Sequence, residues 1–418
     1  MAEVTFPQLI QRACGIDVHL KVVVATIDGA GIQRETRSFK TFTSSLNELK
    51  EWLLSNGVTH VGMESTGVYW KPVYKVLEDS IPNVWIVNAR HIKNVPGHKT
   101  DKMDSEWICK LLLAGLLKPS YIPPKEQRQL RDLTRYRNKL IQQIASEKNR
   151  MMRILEDCNI KLSSVVSNTS GATATSLIDM LCEGKVLTLD DINSVYHGKL
   201  SASPEELLEA CTGFVEEHHI YLLQMIRKDI DQTQTLVDDL SERIKRLLSK
   251  YENVLELLRE IPGFSTKVVE DLVSEIGLDM SHFPSEKHLS SWAGLSPGNN
   301  ESAGKKKSAR ITHGNKQVKA VITEAAWAAT RTKNTFFSER YHRIAARRGK
   351  KRALIAVGHS QLISVYLILS TGSRYHELGA QYMQSKIEQK RKVYLSSELK
   401  KLGYNVSLTK VPQAVTPN

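Results

Sequence analysis

Val58-Thr59-His60-Val61-Gly62-Met63-Glu64 reads as a short buried strand that stops on a carboxylate. Bounded upstream by Asn56-Gly57, it is apolar, β-branched in part and too short for a helix. Upstream, Thr43-Ser44-Ser45 precedes Leu46, Leu49, Trp52 and Leu53, an apolar face at helical spacing. Earlier still, 22–27 is apolar and β-branched, Gly29-Ala30-Gly31 is turn-like, and 37–41 reads as the returning strand of a hairpin. Downstream the pattern predicts a helix over 69–77, a strand over 84–87 and a closing helix over 103–117. This β-β-then-α/β order predicts a mixed sheet covered by helices.

The whole chain has 418 residues, enough for two or three folding units. Its 58 Lys and Arg exceed its 45 Asp and Glu by 13, an excess that points to nucleic acid or another anionic surface as partner. The excess is concentrated: residues 301–360 hold 15 basic and 3 acidic side chains, and residues 118–153 hold 10 and 3. The rest of the chain is net acidic. No apolar run of membrane-spanning length stands out, because the best stretch, 354–369, carries His359 and Gln361 and reads as a buried helix. The first residues lack the charged-then-apolar pattern of a secretory signal. Five cysteines, odd in number and never spaced Cys-x-x-Cys, argue against a disulfide framework and a zinc ribbon, so a cytoplasmic setting is expected.

Pro119, Pro123 and Pro124 break the α/β pattern and mark a boundary. Beyond them Leu130, Leu133, Leu140, Ile144, Met151 and Ile154 recur at threes and fours, interrupted by Arg137 and Glu147. A second pattern through Leu223, Ile226, Ile230, Thr233, Val237, Leu240, Ile244 and Leu247 has no slip. Such a pair predicts an antiparallel coiled-coil arm or a dimer seam, with short helices and loops over 158–215 between. From Tyr251 a compact helical region begins. In it Ile261-Pro262-Gly263-Phe264-Ser265 suits either an αα-corner or a helix N-terminus that cradles a phosphate.

Three segments of the first region supply acids that a sheet would gather. Asp17 lies in Cys14-Gly15-Ile16-Asp17-Val18-His19, Glu64 ends its strand, and Asp101 with Asp104 open the closing helix at an i,i+3 spacing. A carboxylate embedded in an apolar strand is costly unless paired or metal-bound. Four oxygen donors suit a pair of hard divalent cations that share a substrate phosphate. Helix-dipole charge alone would also account for Asp101 or Asp104 taken singly.

Within the basic block, Ala293-Gly294-Leu295-Ser296-Pro297-Gly298-Asn299-Asn300-Glu301-Ser302-Ala303-Gly304-Lys305-Lys306-Lys307 reads as a glycine- and asparagine-rich loop running into cations. Its glycines let backbone approach a phosphate, which Lys305, Lys306, Lys307 and Arg310 would neutralise. Ser296, Ser302 and Ser308 are each candidate nucleophiles beside such a phosphate. Downstream, Lys316, Lys319, Arg331, Lys333, Arg340, Arg343, Arg347, Arg348, Lys350, Lys351 and Arg352 are interleaved with Trp327, Phe336, Phe337 and Tyr341. Cations at that density, unmixed with acids, are expected to track a phosphate backbone.

Four motifs in order resemble the DEDD/serine insertion-sequence transposases, the bridge-RNA-guided recombinases: Gly15 to His19, Met63-Glu64-Ser65-Thr66-Gly67-Val68-Tyr69-Trp70, Lys99-Thr100-Asp101-Lys102-Met103-Asp104, and the serine segment from Ala293 to Lys305. The resemblance covers about residues 13–382. It implies an α/β plus all-α chain: an RNase H-like (RuvC-like) domain over 1–120, a coiled-coil linker over 121–250, a small helical transposase domain over 251–382 and a basic tail over 383–418. It implies that Asp17, Glu64, Asp101 and Asp104 hold Mg²⁺, two ions to a site, while Ser302 attacks a DNA phosphodiester. In such recombinases one subunit's acids work with another's serine, within a homodimer or homotetramer, and a structured guide RNA pairs with target and donor DNA. Elements of this kind move in bacteria and archaea. Many relatives have glycine directly after the serine, where this chain has Ala303. Two other readings fit the residues: a two-metal nuclease or junction resolvase using water, and a non-catalytic nucleic-acid-binding protein.

Overall fold

The computed structural model describes residues 8–65, 67–88, 104–197, 200–298, 300–302, 305–308, 311 and 313–409, with backbone alone for 300–302, 305–308, 383, 384 and 387. The chain divides into two compact units, Met1–Pro123 and Pro124–Asn418. The stretches expected as 121–250, 251–382 and 383–418 therefore fall almost wholly within the second unit.

The first unit is a five-stranded mixed sheet flanked by helices. Its elements are β1 (Arg12–Val18), β2 (Val22–Gly29), β3 (Ile32–Lys40), α1 (Thr43–Ser55), β4 (His60–Glu64), α2 (Trp70–Leu77), β5 (Asn83–Val87) and α3 (Asp104–Leu113). The spatial order is β3-β2-β1-β4-β5. β1, β2 and β3 are antiparallel, whereas β4 runs parallel to both β1 and β5. The segment around Asp17 is thus a strand of its own, and the return strand begins at Ile32, five residues before the 37–41 that its pattern predicts. The reason is visible in β3: it is an edge strand, and Gln33 to Ser38 are all exposed, so its polar residues show no apolar alternation.

Period two sorts β1 onto two faces. Cys14, Ile16 and Val18 join Val23, Ala25 and Ile27 in a core closed by Leu46, Leu49, Trp52 and Leu53 of α1 and Val73 and Leu77 of α2. Ala13 faces the other way, into a smaller core built on Ile108, Cys109, Leu111 and Leu112 of α3. On that face α3 lies directly on β1, because Gly15 offers no side chain: a Cβ there would collide with the Ser105 carbonyl and the Cys109 amide. Thr26 of β2 holds the same helix through a 2.8 Å hydroxyl contact with Ser105.

The second unit begins with two long helices, α4 (Lys125–Asp157) and, after four shorter ones, α9 (Glu217–Leu248). They run antiparallel, with Lys250 bonded to Glu126 near one end and His219 within 3.5 Å of Asp157 at the other. Between them α5 (Leu162–Val165), α6 (Ala172–Cys182), α7 (Leu189–Val195) and α8 (Pro204–Ala210) cap the far end of the arm in a shared core. Thr188 and Ser203 begin α7 and α8 with reciprocal capping boxes.

The remaining helices are α10 (Glu252–Arg259), α11 (Thr266–Ile276), α12 (Glu286–Trp292), α13 (Lys316–Ala329), α14 (Phe336–Arg348), α15 (Lys350–Thr371) and α16 (Gln381–Lys401). All but the last enclose one core. Gly263 takes a positive φ of 88° and abuts the Ala325 carbonyl and Ala329 amide of α13, which leaves no room for a Cβ. Gly263 thus serves the αα-corner; the geometry gives it a packing reason. By length and composition α15 is apolar enough to cross a membrane, the one such described helix, but Val357, Leu362, Val365 and Ile368 are buried in this core.

The arm is docked by buried charge. Arg137, only 3 % exposed, forks between Glu270 at 2.6 Å and Asp271 at 2.8 Å on α11. Arg135 binds both oxygens of Glu275, Arg131 donates to the Ser274 and Glu275 carbonyls, and Thr134 meets Ser274 at 2.9 Å. The residue that interrupts the arm's apolar repeat is therefore the centre of its attachment. All five cysteines are free and buried.

Candidate active site

The acids of the first unit sit where the sheet and α3 converge. The parallel ladder of β1 and β4 pairs Gly15 with Gly62 and Ile16 with Met63, so Asp17 and Glu64 are the next residues on adjoining strands. By alternation each shares the face of the glycine two positions before it, the face that α3 covers. Near Gly62 that cover is Ile108 and Leu112, and near Gly15 it is Ser105 and Cys109. Because Leu113 bonds back to Leu9 and Ile10, α3 runs against β1, and its N-terminus with Asp104 lies toward the strand ends. Three carboxylates thus share one end of one sheet face, beside a helix N-terminus that favours negative charge.

Asp17 accepts a hydrogen bond from His19 Nε2 at 2.9 Å, a partner that lies in the first motif but to which no role was assigned. Apart from that motif, its signal in the sequence is the i,i+2 spacing where the strand leaves the sheet. Carboxylate oxygens are the donors a hard divalent cation takes, so the set matches such an ion in kind. Among the described residues no three His, Cys, Asp or Glu side chains form a cluster able to hold one. Asp101, the fourth expected ligand, lies outside the described residues. Cys14 on the opposite face of β1 and Cys109 on α3 are both buried, and burial pushes the Cys109 thiol up to about 12 and the Cys14 thiol well above its ordinary value, so neither is a nucleophile at neutral pH.

In the second unit the serine segment is not the open loop its composition suggests. β6 (Asn300–Ser302) and β7 (Lys305–Ser308) pair antiparallel, with Ser302 opposite Lys305 as the last pair. Pro297 and Ile311 form a bridge at the base of this hairpin. Ser302 therefore lies at the tip end of β6, Ser308 closes β7, and Ser296 precedes the bridge. Arg310 lies outside the described residues.

The hairpin base forms part of the wall of a cleft of about 1040 Å³, lined by Leu295, Pro297, Ile311, His313, Arg340, Arg348, Lys351, Arg352, Ile355, Ala356 and His359. Gly349, with a φ of 86°, turns α14 straight into α15 and so brings Arg348 beside Lys351 and Arg352. Of the expected nucleic-acid contacts, these three converge here. Lys316 instead lines a separate hollow with Arg135, Trp292, His313 and Asn315. Lys319, Arg347 and Lys350 line neither. Arg340, one of the cations expected to track a phosphate backbone, joins Arg348, Lys351 and Arg352 in the cleft, and so does His359, which did not stand out as a site residue although Arg352, Ile355 and His359 carry the i,i+3,i+7 signal of one helix face.

Two family models match the chain. One, described as a transposase of the DEDD IS110 type, covers residues 14–160, and the other, described as Transposase IS116/IS110/IS902 family, covers residues 255–342. Comparison with curated proteins gave no match. The two models account for more than half of the sequence and fall on the two places where carboxylates and serine were found. The chain belongs to the IS110-type transposase family and is an enzyme acting on DNA, a transposase/recombinase.

Proposed function

We propose that this transposase moves an insertion sequence by serine attack on DNA, with Asp17, Glu64, Asp101 and Asp104 as ligands for two Mg²⁺ ions and Ser302 as nucleophile. The first unit is then RNase H-like, of the RuvC type, a reading supported by the β3-β2-β1-β4-β5 order with its antiparallel first three strands. The observation that carries the proposal is the adjacency of Asp17 and Glu64 on parallel strands, on the face where α3 begins at Asp104. Bound Mg²⁺ supplies a positive field that neutralises phosphate charge and eases ionisation of the attacking hydroxyl. Families of the DEDD type generally use a divalent metal.

Ser302 Oγ forms a bond to phosphorus as one bridging P–O bond breaks, and the departing strand end takes up a proton as a hydroxyl. The phosphoserine ester keeps the energy of the broken linkage, so a hydroxyl of a new DNA end restores a phosphodiester by the reverse step without external energy. Lys305, Lys306, Lys307 and Arg310 hold backbone phosphates around the serine. A structured guide RNA selects the partners, and the enzyme works as a homodimer or homotetramer. Asp17→Ala, or EDTA added to the wild type, should abolish strand cleavage; the substitution should leave thermal stability nearly unchanged, because removing one of several neighbouring negative charges relieves repulsion. Cleavage of end-labelled DNA at the wild-type rate in either case would exclude the two-metal reading.

A further inference from the structure

The cleft at the base of the serine hairpin has a charge problem that the rest of the unit does not. Arg340, Arg348, Lys351 and Arg352 all line it, and no acid among the described residues forms an ion pair with any of them. Arg340 is partly buried, and its one hydrogen bond among the described residues is a 3.4 Å bond to the Ala356 carbonyl. Burial lowers its pKa and neighbouring Arg343 lowers it further; His359 is lowered by burial and then by Arg340 itself. The Arg343 Nε is buried with no hydrogen-bond partner among the described residues. Cations crowded together at the edge of a low-dielectric wall repel one another, and an anion placed among them would turn that repulsion into attraction.

The rest of the lining is apolar: Leu295, Pro297 and Ile311 from the hairpin base, and Ile355 and Ala356 from α15 itself. A ligand for this mixed lining needs both a phosphate and an uncharged body, as a sugar-phosphate unit of a DNA strand has. Free inorganic phosphate satisfies only the first half. Ser302 is five residues along the chain from Pro297, hence no more than about 17 Å away. A DNA strand carries a charge about every 3.4 Å of its axis, so a strand seated here reaches the serine within a few nucleotides.

We infer that the cleft lined by Arg340, Arg348, Lys351, Arg352 and His359 together with Pro297, Ile311 and Ile355 is a seat for backbone phosphate of the DNA strand that passes the Ser302 hairpin. Arg348 and Arg352 provide exposed cations at its mouth, while Arg340 and His359 form its floor. The inference rests on the serine reading for the meaning of the position, but not for the existence of the site.

Three measurements on the whole chain test it, and none depends on strand cleavage. In the first, inorganic phosphate should raise the thermal midpoint above that in NaCl of equal ionic strength, and the Arg348→Gln/Arg352→Gln double variant should lose the increment. These two residues are exposed, so the variant should fold. In the second, the Ile311→Cys variant supplies a thiol at the cleft wall against a background of five buried cysteines. A short DNA duplex should slow alkylation of that thiol several-fold, and should not slow it when Arg348→Gln/Arg352→Gln is added. The salt dependence of DNA binding should flatten by about one unit for each phosphate that the double variant no longer holds. A phosphate effect without protection by DNA would mean an adventitious ion only and would overturn the inference. So would protection that survives the double variant, or protection by an RNA duplex of the same sequence but not by DNA. Failure of the serine reading would look different: no covalent adduct on Ser302, with cleft protection intact.

Discussion

Two arginine clusters of the second unit invite comparison, the seam that docks the arm on α11 and the cleft below the serine hairpin. In the seam Arg131, Arg135 and Arg137 meet Glu270, Asp271 and Glu275, and Asn315 completes Glu275 with a 2.8 Å hydrogen bond. In the cleft Arg340, Arg348, Lys351 and Arg352 form no ion pair with a described carboxylate. The same residue types thus do opposite work. Balanced charge fixes a structure; unbalanced charge in a hollow waits for an anion. Net charge by residue block cannot separate the two cases, since both segments read as basic.

The largest effect is expected at the seam. Arg137→Ala leaves Glu270 and Asp271 buried without their main partner, and removing one member of such a set typically costs about 3–5 kcal/mol. Chemical denaturation should show a loss of that order, with the salt dependence of DNA binding per folded molecule unchanged. A loss below about 1 kcal/mol would mean that the seam does not hold the arm. The smaller effect belongs to the cleft. Arg348→Gln with Arg352→Gln should change stability by less than about 0.5 kcal/mol in phosphate-free buffer, in either direction, because exposed unpaired cations contribute little to folding. A stability loss as large as that of Arg137→Ala would erase the distinction between the two clusters.

What can be read in advance follows from where the determining contacts lie. The strand that ends at Glu64, the helix through Leu46 and Leu53 and the arm's two apolar stripes are local patterns, and local periodicity reveals them. The alignment of Asp17 with Glu64 needs only the expectation that their strands adjoin. Arg137 looks like a fault in the arm because its partners are more than 130 residues away. The serine segment looks like a loop because glycine, asparagine and consecutive lysines show no alternation, and its pairing is backbone hydrogen bonding that sequence pattern does not display. The cleft is hidden for a different reason: its cations come from a helix end and a helix start joined by Gly349, and its apolar wall from a hairpin base some forty residues earlier.

Whether Ser302 attacks phosphorus separates a recombinase from a plain nuclease. Denaturing electrophoresis of the protein with end-labelled DNA, followed by peptide mapping, answers this without intermediate assumptions. A covalent protein–DNA adduct should form, map to Ser302 and disappear in Ser302→Ala, while DNA binding, dominated by phosphate contacts, stays nearly intact. An adduct that persists in Ser302→Ala and maps to Ser296 or Ser308 would contradict the assignment, and efficient cleavage with no adduct would show that water, not serine, is the nucleophile.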